Sequence, residues 1–153
     1  MKKLLILSLS VCSIIFLPAY AAEPFEVVIV KRASMDKSAI FDGAVLWMAE
    51  NFKSSKEVID MKDKDIGVIV GNGVVDVKIG WMVKNPFSFK LKLDVKDKKY
   101  RMTFKDVQMV LDGYEKPIEN TNRKSTEPKV KEKFEVMAES LNSYLSIKKN
   151  DNW

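Results

Sequence analysis

Apolar and polar positions alternate most cleanly between residues 87 and 105. Phe87, Phe89, Leu91, Leu93 and Val95 fall on one side of an extended chain, and Ser88, Lys90, Lys92, Asp94 and Lys96 on the other. After Asp97-Lys98, Tyr100, Met102 and Phe104 alternate with Arg101, Thr103 and Lys105. A turn centred on residues 97 and 98 sets Val95 opposite Tyr100, Leu93 opposite Met102 and Leu91 opposite Phe104. The polar side agrees, because the same register sets Asp94 opposite Arg101, an attraction of about 0.2–1 kcal/mol. Past Phe104 the apolar positions become odd-numbered, at Val107, Met109 and Leu111. One extra residue flips the face of a strand, so the phase change predicts a β-bulge near Lys105-Asp106.

The rest of the chain yields five further elements. Phe25–Val30 reads as a strand with Phe25, Val27 and Ile29 on one face. Ser34 or Asp36 can cap a helix over Lys37–Phe52, whose Ile40, Phe41, Ala44, Val45, Trp47, Met48 and Phe52 form one broad stripe. At helical spacing such a stripe is a core face rather than a ligand box. Gly43 interrupts it at a cost of about 1 kcal/mol relative to alanine, which suggests close packing against the sheet. Lys56–Met61 is a strand, Asp63-Lys64-Asp65 a turn, and Ile66–Val77 the returning strand, with the alternation resuming to Trp81 and ending at Asn85-Pro86. Gly71-Asn72-Gly73 lacks the spacing of a phosphate-binding loop and no helix follows it, so a bulge or a close backbone approach is expected. The polar run from Asp112 to Thr126 predicts the longest loop. Ser125 or Thr126 is expected to cap a last helix with Pro128 in its first turn and Val130, Phe134, Met137, Leu141 and Leu145 facing the core. Lys148–Trp153 is expected to fray as a disordered tail. The order β-α-β-β-β-β-α implies an α+β fold, an antiparallel sheet with both helices packed on one face and the other face open.

Composition adds a location. The chain has 153 residues, 46% of them hydrophobic and 31% charged, enough for one compact domain. Its most apolar stretch lies at the very start, where Lys2-Lys3 precedes Leu4–Leu17 and Pro18-Ala19-Tyr20-Ala21 offers small residues for a cut after Ala21. This is the form of a secretory signal peptide over residues 1–21, too short to span a bilayer. It leaves a single domain over residues 22–147 that is periplasmic or secreted, with no membrane span. Cys12 lies in a sequence reminiscent of a lipoprotein box, but Val11 is larger than the small residue needed before such a cysteine, and the apolar run continues past it.

Removing the signal peptide removes the only cysteine, and the chain has no histidine. Serine triads, thiol nucleophiles, disulfides and zinc sites built on His or Cys are thereby excluded from the mature domain. Its formal charge falls from +5 to +3, because Lys2 and Lys3 leave and no acid does. That balance permits contact with anionic surfaces without demanding it.

Trp47, Glu50-Asn51-Phe52, Val58-Ile59, Asp63-Lys64-Asp65-Ile66-Gly67, Gly71-Asn72-Gly73 and Asp97-Lys98-Lys99-Tyr100-Arg101 together resemble a bacterial secreted family. It is a family of unknown function described as having a TATA-binding-protein-like (TBP-like) fold. The resemblance covers roughly residues 25 to 111 and rests on structural punctuation rather than chemistry. It implies a TBP-like α+β fold and export, and no activity. Family members tend to carry glycine where Lys98 stands, which puts the turn type in question.

These observations favour a non-catalytic binding module of the cell envelope. Its candidate contact surface is the polar side of the 87–105 hairpin, where Lys90, Lys92, Arg101 and Lys105 surround Asp94. The register places Lys90 opposite Lys105, a like-charge pair that an anionic partner would relieve. Against this stands an ordinary solvated sheet face. An envelope protein, glycan or lipid is the expected partner. Nucleic acid is not expected from a single exported copy of such a fold, nor is any cofactor. A carboxylate-based hydrolase is the alternative, with Asp60, Asp63 and Asp65 close in sequence, although Asp-Lys-Asp in a turn is ordinarily turn chemistry. A homodimer through the open face, near Trp81 and Phe87, is the third possibility.

Overall fold

The computed structural model describes residues 23–52, 58–80 and 83–150. The expected signal peptide, Trp81 and residues 151–153 lie outside them. The elements are β1 (Val27–Arg32), α1 (Lys37–Asn51), β2 (Ile59–Asp63), β3 (Val68–Ile79), β4 (Val83–Lys96), β5 (Lys99–Leu111), β6 (Tyr114–Pro117), a 3-10 turn at Ile118–Asn120, and α2 (Arg123–Asn150). All strand pairs are antiparallel, in the order β1-β5-β4-β3-β2, and β6 joins the far end of β5.

The central hairpin has the register that its alternation predicts. Leu91 faces Phe104, Leu93 faces Met102, Asp94 faces Arg101 and Val95 faces Tyr100. Its inward residues, Phe87, Phe89, Leu91, Leu93 and Val95, are all buried. The phase change is a bulge at the expected place. Ser88 pairs with Gln108 and Lys90 with Lys105, so Asp106 and Val107 together oppose Phe89, and Asp106 takes a positive φ of 53°. The extra residue restores Val107 to the core and divides β5. Residues before the bulge pair with β1, and residues after it pair with β6.

Asp36 caps α1, its carboxylate accepting from the Ala39 amide at 2.8 Å. Trp47 lies edge-on to Phe52, Phe52 to Phe89, and Phe89 to Phe134, with ring centroids 5.4, 5.9 and 5.1 Å apart, while Phe104 stacks on Phe134 at 4.1 Å. This chain of rings runs from α1 across the sheet to α2, and tertiary pairs of this kind add about 0.5–1.5 kcal/mol beyond the area they bury. Gly71 and Gly73 are sites of close approach. A Cβ on Gly71 would collide with the Val58 carbonyl oxygen, and one on Gly73 would stand 2.5 Å from the Phe89 ring.

Several expectations need correction. Gly43 faces α2 rather than the sheet, since a Cβ there would sit 2.5 Å from Leu145 Cδ2. Asn85-Pro86 does not end a strand but lies inside β4. Ile66 belongs to the turn before β3 and is exposed. The stretch Asp112–Thr126 is not one loop, because β6 and the 3-10 turn occupy its middle and Ile118 plugs into the core. The final helix begins at Arg123, where the Asn122 carbonyl accepts from the amides of Ser125 and Thr126 at 3.1 and 3.0 Å. Pro128 therefore stands in its second turn. The helix continues through Asn150, past the point at which a frayed tail was expected. Finally, β4 outruns β5. Its last pair with β5 is Phe87 with Met109, so Val83–Pro86 pair with β3 alone. Among the described residues, the sheet beyond Phe87 divides into a β3–β4 arm and the β5–β6 ribbon.

Two substitutions test this packing. Gly71→Ala should destabilise the domain by about 1–3 kcal/mol in urea unfolding, because backbone rather than a flexible side chain blocks the new methyl. Lys98 holds a left-handed φ of 60° in the β4–β5 turn, with its amide and carbonyl both bonded, to Met35 and Ala33 respectively. Lys98→Gly keeps those bonds and should raise stability by about 1 kcal/mol. An unchanged or lowered unfolding midpoint would contradict it.

Candidate functional site

The open face of the sheet is built from the outward residues of β1–β5. Across it the register sets Val28 beside Thr103 and Thr103 beside Lys92. The next row runs Val30, Arg101, Asp94 and Val68, and the third joins Lys105, Lys90 and Asn72. All four expected cations lie here, on adjacent strands, and the structure brings them together.

They are not equivalent. Asp94 accepts from Arg101 at 2.9 Å and lies 2.7 Å from the Lys92 ammonium, so one carboxylate serves two cations. Burial works to raise the Asp94 pKa, but hydrogen bonds from Lys92 and Arg101 and their two positive charges outweigh it. The carboxyl is held below the usual aspartate range. Lys90 and Lys105, directly opposite one another, make no ion pair among the described residues. A hollow of about 270 Å³ opens beside Lys90, and Asp106, Glu115 and Asn72 also line it. Of the four expected cations, Lys90 and Lys105 are thus the two without an ion pair among the described residues; Lys96 and Lys99, also opposite each other on this face, likewise make none.

Flanking the cations, on β1 and β3, lie exposed apolar side chains that were not singled out in the sequence. Val28 is 52% exposed, Val30 60% and Val74 55%. Val28 and Val30 were legible in principle, because they occupy the opposite phase from buried Val27. Phe87, in contrast, is fully buried and offers nothing to a dimer contact.

Two of the three acids considered for hydrolysis, Asp60 and Asp63, hold hydrogen bonds of the fold. Asp60 accepts both of its hydrogen bonds from the Asn72 amide at 2.8 Å. Asp63 accepts from the amides of Asp65 and Ile66 at 3.0 and 3.1 Å, closing the turn between β2 and β3. The buried Tyr100 hydroxyl donates to the Ala138 carbonyl at 3.2 Å, and burial together with the Glu139 charge pushes its pKa far up. Tyr144 donates to Glu50 at 3.1 Å and is also raised, by burial and by that carboxylate. Both phenols are fixed as proton donors to structural acceptors. The arrangement suits non-covalent contact with an anion.

A six-stranded antiparallel sheet with α1 and α2 on one face places the protein in the α+β class with a TBP-like fold. Residues 27–109 match the family described as a domain of unknown function (DUF4468) with TBP-like fold, and the chain belongs to that family. Two solved structures share the fold at 14% identity each. A TBP-like protein from Parabacteroides distasonis superposes with a TM-score of 0.62, covering 80% of this chain and 93% of that one. A DUF4468 family protein from Bacteroides ovatus gives 0.57, covering 83% and 86%. No curated protein matches the chain.

Asp94→Asn tests the shared carboxylate. Lys92 and Arg101 are 40% and 52% exposed, so the loss at neutral pH should be no more than about 1 kcal/mol. A carboxyl with a folded pKa below its unfolded one contributes fully above the unfolded value, about 3.9. That contribution disappears as pH falls through the folded value. Urea melts of the two proteins should therefore differ at neutral pH and converge in strong acid. A gap that persists there would remove the assignment.

Proposed function

We propose that this protein is an exported, non-catalytic binding module of the cell envelope that contacts an anionic partner through the open face of its sheet. The observation that carries the reading is the Lys90–Lys105 pair. Two cations stand directly opposite each other, while Lys92 and Arg101 share Asp94. Like charges in that position oppose folding by a few tenths of a kcal/mol or more, and an anionic group on an envelope protein, glycan or lipid would offset that cost. Val28 and Val74, one row to either side of the pair, supply apolar contact area. The signal-peptide form of residues 1–21 supports export, and no helix among the described residues is long and apolar enough to cross a membrane.

The test compares the mature domain with its Lys90→Glu/Lys105→Glu variant, each immobilised and exposed to detergent-extracted envelope proteins, envelope glycans and phosphatidylglycerol vesicles. One of these fractions should be retained at low salt, released as salt rises, and retained about ten-fold less by the variant. Equal retention by both proteins in every fraction would overturn the proposal. The far-UV dichroism of the variant, expected to be unchanged, shows that the comparison is between folded proteins.

A further inference from the structure

The rows of outward side chains on the sheet differ in charge. Arg32, Lys99 and Lys96 are register partners across β1, β5 and β4, so one end of the face carries a row of cations. Lys105 and Lys90 form a second cationic row. Lys90 and Lys96 are six residues apart on one strand, which sets the two rows about 20 Å apart. The two rows between them hold Lys92 and Arg101 against Asp94 and Asp63, and so balance. Their ends are apolar. One runs Val28, Thr103, Lys92, Val70 and Met61, with Val28 52% and Met61 47% exposed. The other starts at Val30, which is 60% exposed.

Arg32, Lys90, Lys96, Lys99 and Lys105 make no ion pair among the described residues. Like charges set opposite each other across strands are unfavourable, and here the arrangement occurs at both ends of one hairpin. The acids nearby are placed elsewhere. Asp97, in the turn beside the first row, accepts from the Lys37 amide at 2.8 Å. Asp106 and Glu115 share a hollow with Lys90 past the second row, where the basic strip ends. A single anionic group relieves one row and leaves the other untouched.

We infer that the open face rests on an anionic lipid surface. Both cationic rows meet headgroups, and Val28, Val30 and Met61 reach the boundary with the acyl chains. This inference rests on the function proposed above and names its partner. A bilayer offers many mobile anions, so it meets two separated rows at once without a fixed complementary spacing. It also takes up apolar side chains at the headgroup boundary, and adhesion grows with both contributions. An anionic glycan would satisfy the lysines and leave the apolar ends in water. A protein partner would need two acidic patches at the separation of the rows.

The test is co-sedimentation of the mature protein with vesicles of phosphatidylcholine alone, or of equimolar phosphatidylglycerol and phosphatidylcholine. Binding to the second set only is expected, weakening as salt rises. Each lysine near such a surface contributes about five-fold. Lys90→Gln/Lys105→Gln and Lys96→Gln/Lys99→Gln should therefore each weaken binding about twenty-five-fold, and the two losses should multiply when combined. Lys124→Gln/Lys131→Gln, at exposed positions of α2, should leave it unchanged. Equal binding to both vesicle sets, binding to neither, an equal loss in the α2 variant, or dependence on one lysine pair alone would each overturn the inference. If vesicles are ignored while an envelope protein or glycan is retained through Lys90 and Lys105, the lipid inference falls and the function proposed above stands. If nothing is retained, both fall. The vesicle comparison uses only the unmodified protein, so it decides the matter even if a variant folds poorly.

Discussion

Burial of one side of β4 and β5 is the constraint on which this fold depends. Phe87 to Val95 and Tyr100 to Phe104 present an unbroken apolar surface that both helices must cover. Each Å² of apolar area so removed from water contributes about 25 cal/mol. Phe134 of α2 stacks on Phe104, and α1 closes against the same surface through Trp47 and Phe52. Gly43 lets the two helices approach closely above it. The extra residue at Asp106 follows from the same demand. It returns Val107 to the covered side after the strand has changed phase.

Much of this was legible because burial leaves a period. The hairpin register could be read from two faces that agree, and the bulge from their disagreement past Phe104. β6 was not legible, since all four of its residues are exposed and no alternation marks it. The start of α2 was misplaced because Ser125 and Thr126 are good capping residues that the chain uses inside the first turn, leaving Asn122 at the boundary. Asn85-Pro86 misled for a related reason. Proline lacks an amide hydrogen, yet Pro86 lies just past the last pair with β5, where no such hydrogen is needed.

The candidate surface was legible only as a set of positions. Alternation places Lys90, Lys92, Arg101 and Lys105 on one face, but how the charge is shared depends on side-chain reach. Asp94 takes two cations, which leaves Lys90 and Lys105 as the two of the four without an ion pair among the described residues.

The arm formed by β3 and β4 beyond Phe87 carries a consequence for motion. Two-stranded ribbons are marginal in water and twist more strongly than wider sheets. Of the arm's residues, Val77 is buried, while Lys78, Val83 and Lys84 are exposed. Local opening there requires breaking one ladder rather than two. Its amides therefore exchange with solvent through small fluctuations, while those of the central hairpin wait for the whole domain to open.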